Sequence, residues 1–356
     1  MERIGIGLIG CGMISQAVHL PALAALGNCD VFAACDLRDE PKAAAARMFP
    51  GARLLRCVAD VFDDPQVTAV VLALPPSENR EVALAALDAG RDVYIEKPLA
   101  GSLSDGRAIV SAASASDRIT MIGFNFRRNH AALSARAAIE AGELGDIISI
   151  QSQNHTMQPQ DLWVEAPEKF WRTDPKKGGG ALSDVASHHI DLAHALTGSG
   201  TVRVAASIRS RITPADCAEV QLELANGAVC QISAAIGAKR HVNRVIVTGT
   251  RGQIDIDMCD PTPARLRTGE PPYSRSGRVR AALDGFWPLA ALNADPGEPS
   301  FGAALGTFVR ACQTRDKDVE PSLSRGLAVL DVVDTAYRSA EAGGAPLDVV
   351  AGAEPA

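Results

Sequence analysis

The sequence lacks the features that mark several large classes of protein. No apolar run approaches the length of a membrane-spanning helix, and the basic residues form no long run. A formal net charge of -7 gives no electrostatic reason to expect a nucleic-acid partner. The eight cysteines are scattered and include no C-x-x-C pair, so we expect reduced, buried thiols and neither a disulfide framework nor a zinc site. We therefore expect no membrane, no nucleic acid and no metal.

What the sequence does contain is typical of an ordinary globular protein. Hydrophobic residues make up 47% and charged residues 22% of the 356 positions, which is enough chain for two domains with a core each. The first predicted strand begins directly after Met1-Glu2-Arg3, which leaves no space for a signal peptide. We therefore expect a cytoplasmic location.

A glycine-rich turn follows the first predicted strand, the apolar run at residues 4–9. The turn is Gly10-Cys11-Gly12-Met13-Ile14-Ser15, and a predicted helix at residues 14–26 continues from it. In a dinucleotide-binding unit the first glycine permits the tight turn, the second lets the backbone approach the pyrophosphate, and the third position, here Ser15, lets the helix pack on the strand. The start of the helix would point its amides at the phosphates. Such turns also occur for packing reasons alone; in the cofactor interpretation the contacts come from Gly10, Gly12, Met13 and Ile14.

Asp36 ends the second predicted strand at about the spacing where a dinucleotide-binding unit places the acid for the ribose 2′-hydroxyl. Its carboxylate would accept that hydroxyl and repel a 2′-phosphate, which favours NAD over NADP. Arg38 favours the opposite choice, because an arginine can accommodate the phosphate. Asp36 can also cap the helix that follows Leu37, and both roles can hold together. This part of the predicted cofactor site comprises Asp36, Leu37 and Arg38.

Up to residue 124 the chain alternates short apolar strands with helices, which is the pattern of a parallel sheet covered on both faces. We therefore predict an α/β Rossmann domain over residues 1–124. Ligands of such sheets lie beyond the carboxyl ends of the strands, so the turns after residues 70–74 and 92–95 should both reach the cofactor. The predicted contacts from these turns are Leu74, Pro75, Asn79, Glu96 and Lys97.

From residue 125 the pattern changes, because the predicted strands become longer, alternate apolar with polar residues and stop alternating with helices. Asn226-Gly227 lies between two such strands and is a strong hairpin signal. We predict an α+β domain over residues 125–350 with a large, mostly antiparallel open sheet. Residues 261–299 are predicted to form a long irregular excursion, and helices are expected at residues 301–314 and 323–342.

The most informative polar cluster lies after Gly178-Gly179-Gly180. On a helix, Asp184, His188 and Asp191 would fall at i, i+4 and i+7 and so form one polar stripe among small and apolar residues. Two carboxylates and an imidazole on a buried helix are costly unless they are paired or used. A structural hydrogen bond between His188 and one of the acids is the alternative to catalysis. A metal site is disfavoured, because one helical turn supplies too few ligands and no H-E-x-x-H or cysteine partner is nearby.

Lys97 is the second candidate for chemistry. Glu96-Lys97-Pro98 follows a buried strand at the edge where the sheet opens toward the cofactor. Pro98 stiffens this turn and makes a cis peptide available. A solvated lysine at a strand end is the alternative.

These motifs together resemble the glucose-fructose oxidoreductase/inositol dehydrogenase (Gfo/Idh/MocA) family of NAD(P)-dependent oxidoreductases over nearly the whole chain. The resemblance rests on the glycine turn, on residues 86–90 leading into Glu96-Lys97-Pro98, on Gly123-Phe124-Asn125-Phe126-Arg127, on Gly142-Glu143-Leu144-Gly145, on Trp171-Arg172 and on Asp184-(x3)-His188-(x2)-Asp191.

The resemblance implies a Rossmann domain followed by a large open sheet, of which one face binds substrate and the other often forms a dimer. A homodimer or homotetramer through that sheet is therefore expected. The resemblance also implies that Lys97, Asp184 and His188 meet at the nicotinamide, and that Asn125 and Arg127 lie near cofactor or substrate. One departure is visible: the family often has a histidine in a Pro-Asn-x-x-His turn, where this chain has Pro75-Pro76-Ser77-Glu78-Asn79.

The residues and the resemblance lead to one mechanistic hypothesis. A secondary alcohol of a sugar, a sugar derivative or an inositol-type polyol gives a hydride to the nicotinamide while a base takes its hydroxyl proton. We expect His188 to be that base because imidazole titrates near neutral pH, Asp184 to orient it, and Lys97 to hydrogen-bond the reacting oxygen. The sequence does not decide between Lys97 and His188 as the proton acceptor. Expected substrate contacts are Arg127, Asn154, His155, Trp171, Arg172, Asp184 and His188; for Asn154, His155, Trp171 and Arg172, rim packing and strand pairing are the alternative.

Two other functions fit parts of the pattern. Some members of the family use tightly held NAD as a transient oxidant in a glycosidase or elimination cycle, so net hydride transfer does not follow from the resemblance. A regulatory protein that senses dinucleotide is the other alternative. The presence of Lys97, Asp184 and His188 together argues against a sensor, which needs none of them.

Overall fold

The first part of the chain builds a parallel sheet of six strands in the order β3-β2-β1-β4-β5-β6. The computed structural model describes residues 2–156, 171–259, 264–268 and 299–349 of the chain. The strands β1, β4 and β5 are almost wholly buried, as apolar runs are when helices cover both faces of a sheet. This strand order is that of a Rossmann fold, which confirms the predicted α/β domain. The six strands are β1 (Ile4–Ile9), β2 (Cys29–Cys35), β3 (Arg53–Leu55), β4 (Ala69–Leu72), β5 (Asp92–Ile95) and β6 (Thr120–Ile122).

Helices follow most of these strands. The helix predicted at residues 14–26 begins as a π-helical turn, Ser15–His19, and only then becomes α-helical. The Ser15 hydroxyl donates to the Gly10 carbonyl at 2.6 Å, so the serine at the third motif position also closes the glycine turn. The α-helices of this part are α1 (Leu20–Leu26), α2 (Asp39–Met48), α3 (Val58–Phe62), α4 (Asn79–Asp88) and α5 (Leu103–Ala115).

The second part of the chain builds an eight-stranded sheet in the order β13-β12-β11-β7-β10-β9-β8-β14. All neighbours pair antiparallel except β7 and β10, which are parallel, so the predicted mostly antiparallel sheet is confirmed. Strands β9 and β10 form the predicted hairpin, with Gly227 at φ +86° in its turn. The strands are β7 (Ile147–Thr156), β8 (Thr201–Arg209), β9 (Cys217–Leu224), β10 (Val229–Ile236), β11 (Val242–Gly249), β12 (Gly252–Asp257), β13 (Arg265–Thr268) and β14 (Leu347–Asp348).

Alternating residues of these strands are buried under a layer of helices, while the opposite face of the sheet is polar. A 3₁₀ turn, Asn125–Arg128, links the two sheets. The predicted excursion at residues 261–299 lies largely outside the described residues; Ala264, β13 and the first residue of α8 are the parts of it that the structure describes. The helices of this part are α6 (His130–Glu140), α7 (Ser187–Thr197), α8 (Pro299–Thr314) and α9 (Leu323–Glu341), with a π-helical turn at Ala181–Ala186 that runs into α7.

The last helices do not stay with the second sheet. Helix α8 supplies Leu305, Phe308 and Val309 to the core around Leu8 and Leu20 of the first sheet. Helix α9 packs on both α5 and β8 and so joins the two parts. A boundary at residue 124 therefore separates α8 from the core that it completes.

The cysteines differ in part from the expectation of buried thiols. Cys57 and Cys259 are exposed, Cys217 is half-buried, and burial raises the pKa of Cys29 and Cys35 to about 11. None of the helices in the described part of the chain combines the length and apolar composition that a bilayer crossing requires.

Candidate active site

A cavity of about 620 Å³ lies where the carboxyl ends of the first sheet's strands face the helix-covered side of the second sheet. Twelve of the residues predicted for cofactor or substrate line it: Gly12, Met13, Ile14, Arg38, Leu74, Glu96, Lys97, Asn154, Trp171, Arg172, Asp184 and His188. The sequence interpretation did not include several other lining residues, namely Gln16, Pro41, Ala73, Phe126, Thr156, Val185, His241, Asn243 and Phe301. The cavity thus joins the glycine turn to Asp184 on the π-helical turn and His188 on α7.

The glycine turn has the shape that a dinucleotide phosphate requires. Gly10 has φ +90°, and a Cβ there would lie 2.4 Å from the Ala73 carbonyl oxygen, so only glycine fits against β4. A Cβ on Gly12 would meet no atom within 4 Å, so the backbone at Gly12 is open toward the cavity. A tight first glycine and an open second one match the needs of a bound pyrophosphate. The residues present therefore fit a dinucleotide cofactor.

Asp36 is not among the described residues that line the cavity, and the N-cap of α2 is Arg38, which has no side-chain capping hydrogen bond; the Asp36 carboxylate binds two backbone amides instead. One carboxylate oxygen accepts the Cys11 amide at 3.0 Å, and the other accepts the Arg38 amide at 2.9 Å. The carboxylate thus orders the glycine turn and the turn that precedes α2. Arg38 Nε lies 3.4 Å from Asp36 Oδ1, and the arginine side chain is 68% exposed. Leu37 is 73% exposed beside it.

Lys97 and Asp184 form the central ion pair of the cavity. Lys97 Nζ donates to Asp184 Oδ1 at 2.9 Å and to the Asp184 carbonyl at 2.7 Å. Arg172 approaches the other carboxylate oxygen at 3.6 Å and lies over the Trp171 ring at 5.4 Å. Burial acts to raise the pKa of Asp184, but Lys97 and Arg172 outweigh it and hold that pKa well below the usual carboxyl range. Asp184 is therefore a carboxylate that anchors Lys97 at the cavity wall.

The Lys97-Pro98 peptide is cis, the isomer that the sequence left available. Glu96 lies behind the lysine, where its carboxylate accepts the Lys97 amide at 3.2 Å and lies 3.2 Å from His19 Nε2. His19 is fully buried on the π-helical turn after the glycines. The strand end that carries Lys97 is therefore tied to the element that faces the cofactor phosphates.

His188 is held in an apolar setting. Its ring stacks on Phe126, with ring centroids 4.1 Å apart and an interplanar angle of 14°. Among the described residues, its buried Nδ1 has no hydrogen-bond partner, and Asp184 forms no hydrogen bond with the ring. The expectation that Asp184 orients His188 is thus corrected, because the carboxylate is used by Lys97. Burial, reinforced by Lys97, lowers the pKa of His188 well below its ordinary value, so the imidazole is neutral near pH 7.

Arg127 pairs with another residue of the protein and is not among the described residues that line the cavity. Its guanidinium donates to both oxygens of Asp191, at 2.7 and 2.5 Å, and Asp191 is fully buried. The third member of the polar stripe is therefore a structural acid with its own arginine. This placement corrects the expectation of a substrate contact for Arg127, because its donors are directed at Asp191 away from the cavity wall.

Two predicted cofactor contacts are used in packing instead. The Asn79 amide donates to the Pro98 and Leu99 carbonyls at 3.2 and 3.1 Å, and so supports the turn after Lys97. The Asn125 amide donates to the Ser300 hydroxyl at 2.7 Å and is fully buried. Asn79 and Asn125 thus shape the site from outside the cavity wall. Pro75 likewise lies beside the wall, at the start of a 3₁₀ turn.

Asn154 and His155 are neighbours on β7 and point to opposite faces. Asn154 is buried and lines the cavity beside Asn243, its paired residue on the neighbouring strand β11. His155 lies 3.0 Å from the Ser233 hydroxyl on the other face of the sheet, so its expected substrate contact is corrected. The alternation that excludes His155 brings Thr156 to the cavity, and the same alternation brings in Asn243 of β11 and His241, the residue just before that strand. That alternation was visible in the sequence, but the face that it would present was not.

No group of three or more histidine, cysteine, aspartate or glutamate side chains suited to a metal ion occurs within residues 2–156, 171–259, 264–268 and 299–349. The ionic groups of the described cavity wall pair with one another instead.

Comparison with known proteins agrees with this geometry. A family model described as an oxidoreductase family with an NAD-binding Rossmann fold matches residues 4–157, and a model of the GFO/IDH/MocA C-terminal domain matches residues 132–255. Levoglucosan dehydrogenase of Pseudarthrobacter phenanthrenivorans is 27% identical over 96% of this chain and 97% of the relative. Inositol 2-dehydrogenase of Rhizobium meliloti is 26% identical over 94% of this chain and 96% of the relative.

A solved structure of levoglucosan dehydrogenase in complex with NADH and levoglucosan has the same fold, with a TM-score of 0.82 and 27% identity over 98% of this chain and 100% of that one. Both halves of the chain thus match domains of one family, and the site has the glycine turn and the ionisable cluster on which the resemblance rests. The chain belongs to the Gfo/Idh/MocA family of NAD(P)-dependent oxidoreductases.

Proposed function

We propose that this protein is a dehydrogenase that oxidises a secondary alcohol of a sugar, a sugar derivative or an inositol-type polyol, with NAD as the hydride acceptor. The observation that carries the proposal is the meeting of Lys97, Asp184 and His188 on the same cavity wall as Gly12. Relatives that match along nearly the whole chain are named as levoglucosan and inositol dehydrogenases, which supports a polyhydroxylated substrate.

The nicotinamide of a bound NAD supplies the hydride acceptor, and the protein supplies position and proton transfer. Gly10, Gly12, Met13 and Ile14 would hold the phosphates through the backbone at the helix start. Asp36 would accept the ribose 2′-hydroxyl, and its negative charge would oppose a 2′-phosphate.

Lys97 has the role of stabilising negative charge on the reacting oxygen. Two of the three ammonium donors are directed at Asp184, which fixes the position of Nζ and leaves one donor for the substrate oxygen. A charged donor that is already held in place stabilises developing alkoxide character without reorganising. Asp184 therefore acts on the substrate through Lys97.

His188 is the proposed proton acceptor. Its lowered pKa keeps the ring neutral near pH 7, and only the neutral ring can take the hydroxyl proton of the substrate. The ammonium of Lys97 is paired with a carboxylate and is the donor of the couple. In this proposal His188 accepts the proton and Lys97 donates a hydrogen bond to the reacting oxygen.

The sugar itself would lie against the second sheet. Asn154 has a buried side-chain oxygen without a hydrogen-bond partner among the described residues, and it lines the cavity beside Asn243, whose side chain interacts with His189. Such oxygens accept hydroxyl hydrogens, which a sugar or polyol supplies in number. Trp171 and Arg172 would close the rim of the same cavity, the ring offering an apolar face for the sugar carbons.

The test is NADH formation at 340 nm with purified protein, NAD or NADP, and a panel of levoglucosan, inositols, aldoses, sugar acids and alkyl glycosides. We expect turnover of one compound class with NAD preferred. Release of free reducing sugar from a glycoside without net NADH would contradict the proposal and support the glycosidase alternative. Tight NAD binding without turnover of any compound would support a dinucleotide sensor.

A homodimer or homotetramer through the second sheet belongs to the same proposal. The polar face of that sheet carries a broad depression of about 590 Å³ lined by glutamines, Glu219 and Arg244. Light scattering of the wild-type protein and of Gln221→Lys measures the oligomer. A monomeric wild-type protein would contradict this part of the proposal and leave the chemistry untouched.

A further inference from the structure

The His188 ring is held by aromatic contact where a hydrogen bond would be expected. Phe126 stacks on it at 4.1 Å, and Phe124 meets it edge-on at 6.2 Å and 73°. Its buried Nδ1 has no partner among the described residues. The second side-chain torsion of histidine has a broad energy profile, so a ring without hydrogen bonds turns easily unless packing prevents it. Here the packing surface is the face of Phe126.

The turn that carries Phe126 is itself fixed to the catalytic helix. Arg127, the next residue, holds Asp191 with two hydrogen bonds of 2.7 and 2.5 Å, and Asp191 follows His188 by three residues on α7. Residues three apart lie on the same face of a helix. The 3₁₀ turn Asn125–Arg128 therefore contacts α7 at two neighbouring points. Phe126 stacks on His188, and Arg127 pairs with Asp191.

The other end of the turn is anchored as well. Asn125 donates to Ser300 of α8 at 2.7 Å and is fully buried. The turn is thus held on both sides of Phe126, which leaves the phenyl ring little freedom to move away from His188.

We propose that Phe126 is a positioning residue for the oxidation: seated by the Arg127–Asp191 ion pair, its ring fixes the plane of the His188 imidazole in the cavity. The kinetic consequences rest on the proposed function, whereas the effect on the ring itself does not. A general base must lie within hydrogen-bond reach of the proton that it takes, so a ring free to turn loses rate without losing substrate affinity.

The electrostatic surroundings of His188 define a readout for this role. The charged or titratable groups that face it are Lys97, Arg172, Asp184, His189 and, across the cavity, His241. Burial is the largest cause of its lowered pKa. Loss of the Phe126 ring admits water beside the imidazole, so the pKa of His188 should rise toward its ordinary value.

The kinetic experiment compares Phe126→Leu, which replaces the flat ring with a smaller side chain and leaves room for water beside the imidazole, with Phe126→Tyr, which keeps the ring. Phe62→Leu is the matched control, because Phe62 is a half-buried phenylalanine outside the cavity. We expect Phe126→Leu to lower kcat roughly 3- to 10-fold with KM changed less than about 2-fold, which is the range of a lost aromatic pair. The acid limb of the pH profile, the decline of kcat/KM at low pH, should lie at higher pH in Phe126→Leu than in the wild type. In Phe126→Tyr, kcat and the acid limb should both return to their wild-type values.

The second pair of variants addresses the ion pair. Arg127→Gln should reproduce the shift of the acid limb in part, and Arg136→Gln, which removes an exposed arginine paired with Glu140, should leave it unchanged. Unchanged kcat, KM and acid limb in Phe126→Leu would overturn the proposal. A loss of stability alone, with the acid limb in place, would also overturn it.

An activity-independent measurement separates this proposal from the proposed function. Protein labelled at histidine ¹³Cε1 is titrated by NMR, with His188→Asn used to assign the signal. This measurement does not depend on turnover of any compound of the panel. If Phe126 fixes the His188 ring, the His188 signal of Phe126→Leu titrates at higher pH than in the wild type and in Phe126→Tyr. Identical titrations of the three proteins would overturn the proposal whatever the enzyme assay shows.

Discussion

The two ends of the polar stripe, Asp184 on the π-helical turn and Asp191 on α7, carry the same residue type and have different roles. Asp184 lies at the cavity wall, where both it and its partner Lys97 can reach a ligand. Asp191 lies two turns further on, fully buried, and both of its oxygens are taken by Arg127. One acid holds a cation toward the cavity, and the other holds a cation away from it.

The difference shows that spacing alone does not assign chemistry. Asp184 and Asp191 are both at helical spacing from His188, and each has a basic partner distant in sequence, Lys97 for Asp184 and Arg127 for Asp191. The partner decides the role: Lys97 is a flexible point charge that keeps a free donor, whereas Arg127 is a planar fork whose donors match the carboxylate. We therefore expect the cavity end to control rate and the buried end to control stability.

The largest effect should follow from breaking the buried end. Asp191→Asn leaves the Arg127 guanidinium, nine-tenths buried, with only the half-exposed Glu320 carboxylate at 3.7 Å as a counter-charge among the described residues, so the cost should lie near the lower end of the about 3–5 kcal/mol of unfolding free energy that breaking a buried pair requires. Denaturant unfolding of the variant and the wild type measures the cost. The kcat of the folded fraction should fall less than about tenfold. An Asp191→Asn variant with wild-type stability and no turnover would contradict the expectation that Asp191 controls stability.

Breaking the cavity end should instead lower rate. Lys97→Met removes the donor to the reacting oxygen, so kcat should fall about 10²–10³-fold, the typical cost of one such donor. Stability should fall less than in Asp191→Asn, because Arg172 remains 3.6 Å from the buried Asp184 carboxylate, and the dissociation constant of NADH, measured by fluorescence, should change little. Lys317→Met removes an exposed lysine that pairs with Asp117 and serves as the control. A near-normal kcat in Lys97→Met would remove the lysine from the chemistry.

The pH dependence of kcat/KM tests His188, which lies between Asp184 and Asp191 in the polar stripe. His188 must be neutral to accept a proton, and burial lowers its pKa, so kcat/KM for oxidation should hold as pH falls through about 6.5 and decline only below it. The decline at low pH reflects protonation of the folded, free enzyme. The profile of His188→Asn should lack this limb. A limb that persists in His188→Asn with near-normal turnover would exclude His188 as the base.

The smallest effect extends the comparison to a third carboxylate. Asp36 orders the glycine turn through the Cys11 amide and faces the exposed Arg38. Asp36→Asn keeps the hydrogen-bonding shape but loses the charge, so the ratio of NADPH to NADH dissociation constants should fall roughly tenfold, since a charge pair near the surface is worth a few kcal/mol at most. Arg38→Ala should move the ratio in the opposite direction. An unchanged ratio in both variants would show that neither residue selects the cofactor.

The sequence predicted the parts of the site that depend on local rules. The glycine turn, the hairpin at Asn226-Gly227 and the strand that delivers Lys97 follow from periodicity and turn chemistry, and the structure shows each of them. The sequence did not correctly predict the direction in which every side chain points. His155 and Arg127 were expected in the cavity, and they lie elsewhere because the face of a strand and the choice of an ion-pair partner depend on distant elements.

The sequence by itself determined the two folded parts, the cofactor class and the identity of the ionisable groups, because strand and helix periods and glycine conformations are properties of neighbouring residues. Only the tertiary structure decided which acid meets Lys97, that Phe126 and not Asp184 holds His188, and that α8 completes the first core. Those contacts join residues far apart in the chain, and burial and charge select them only when the two sheets have come together.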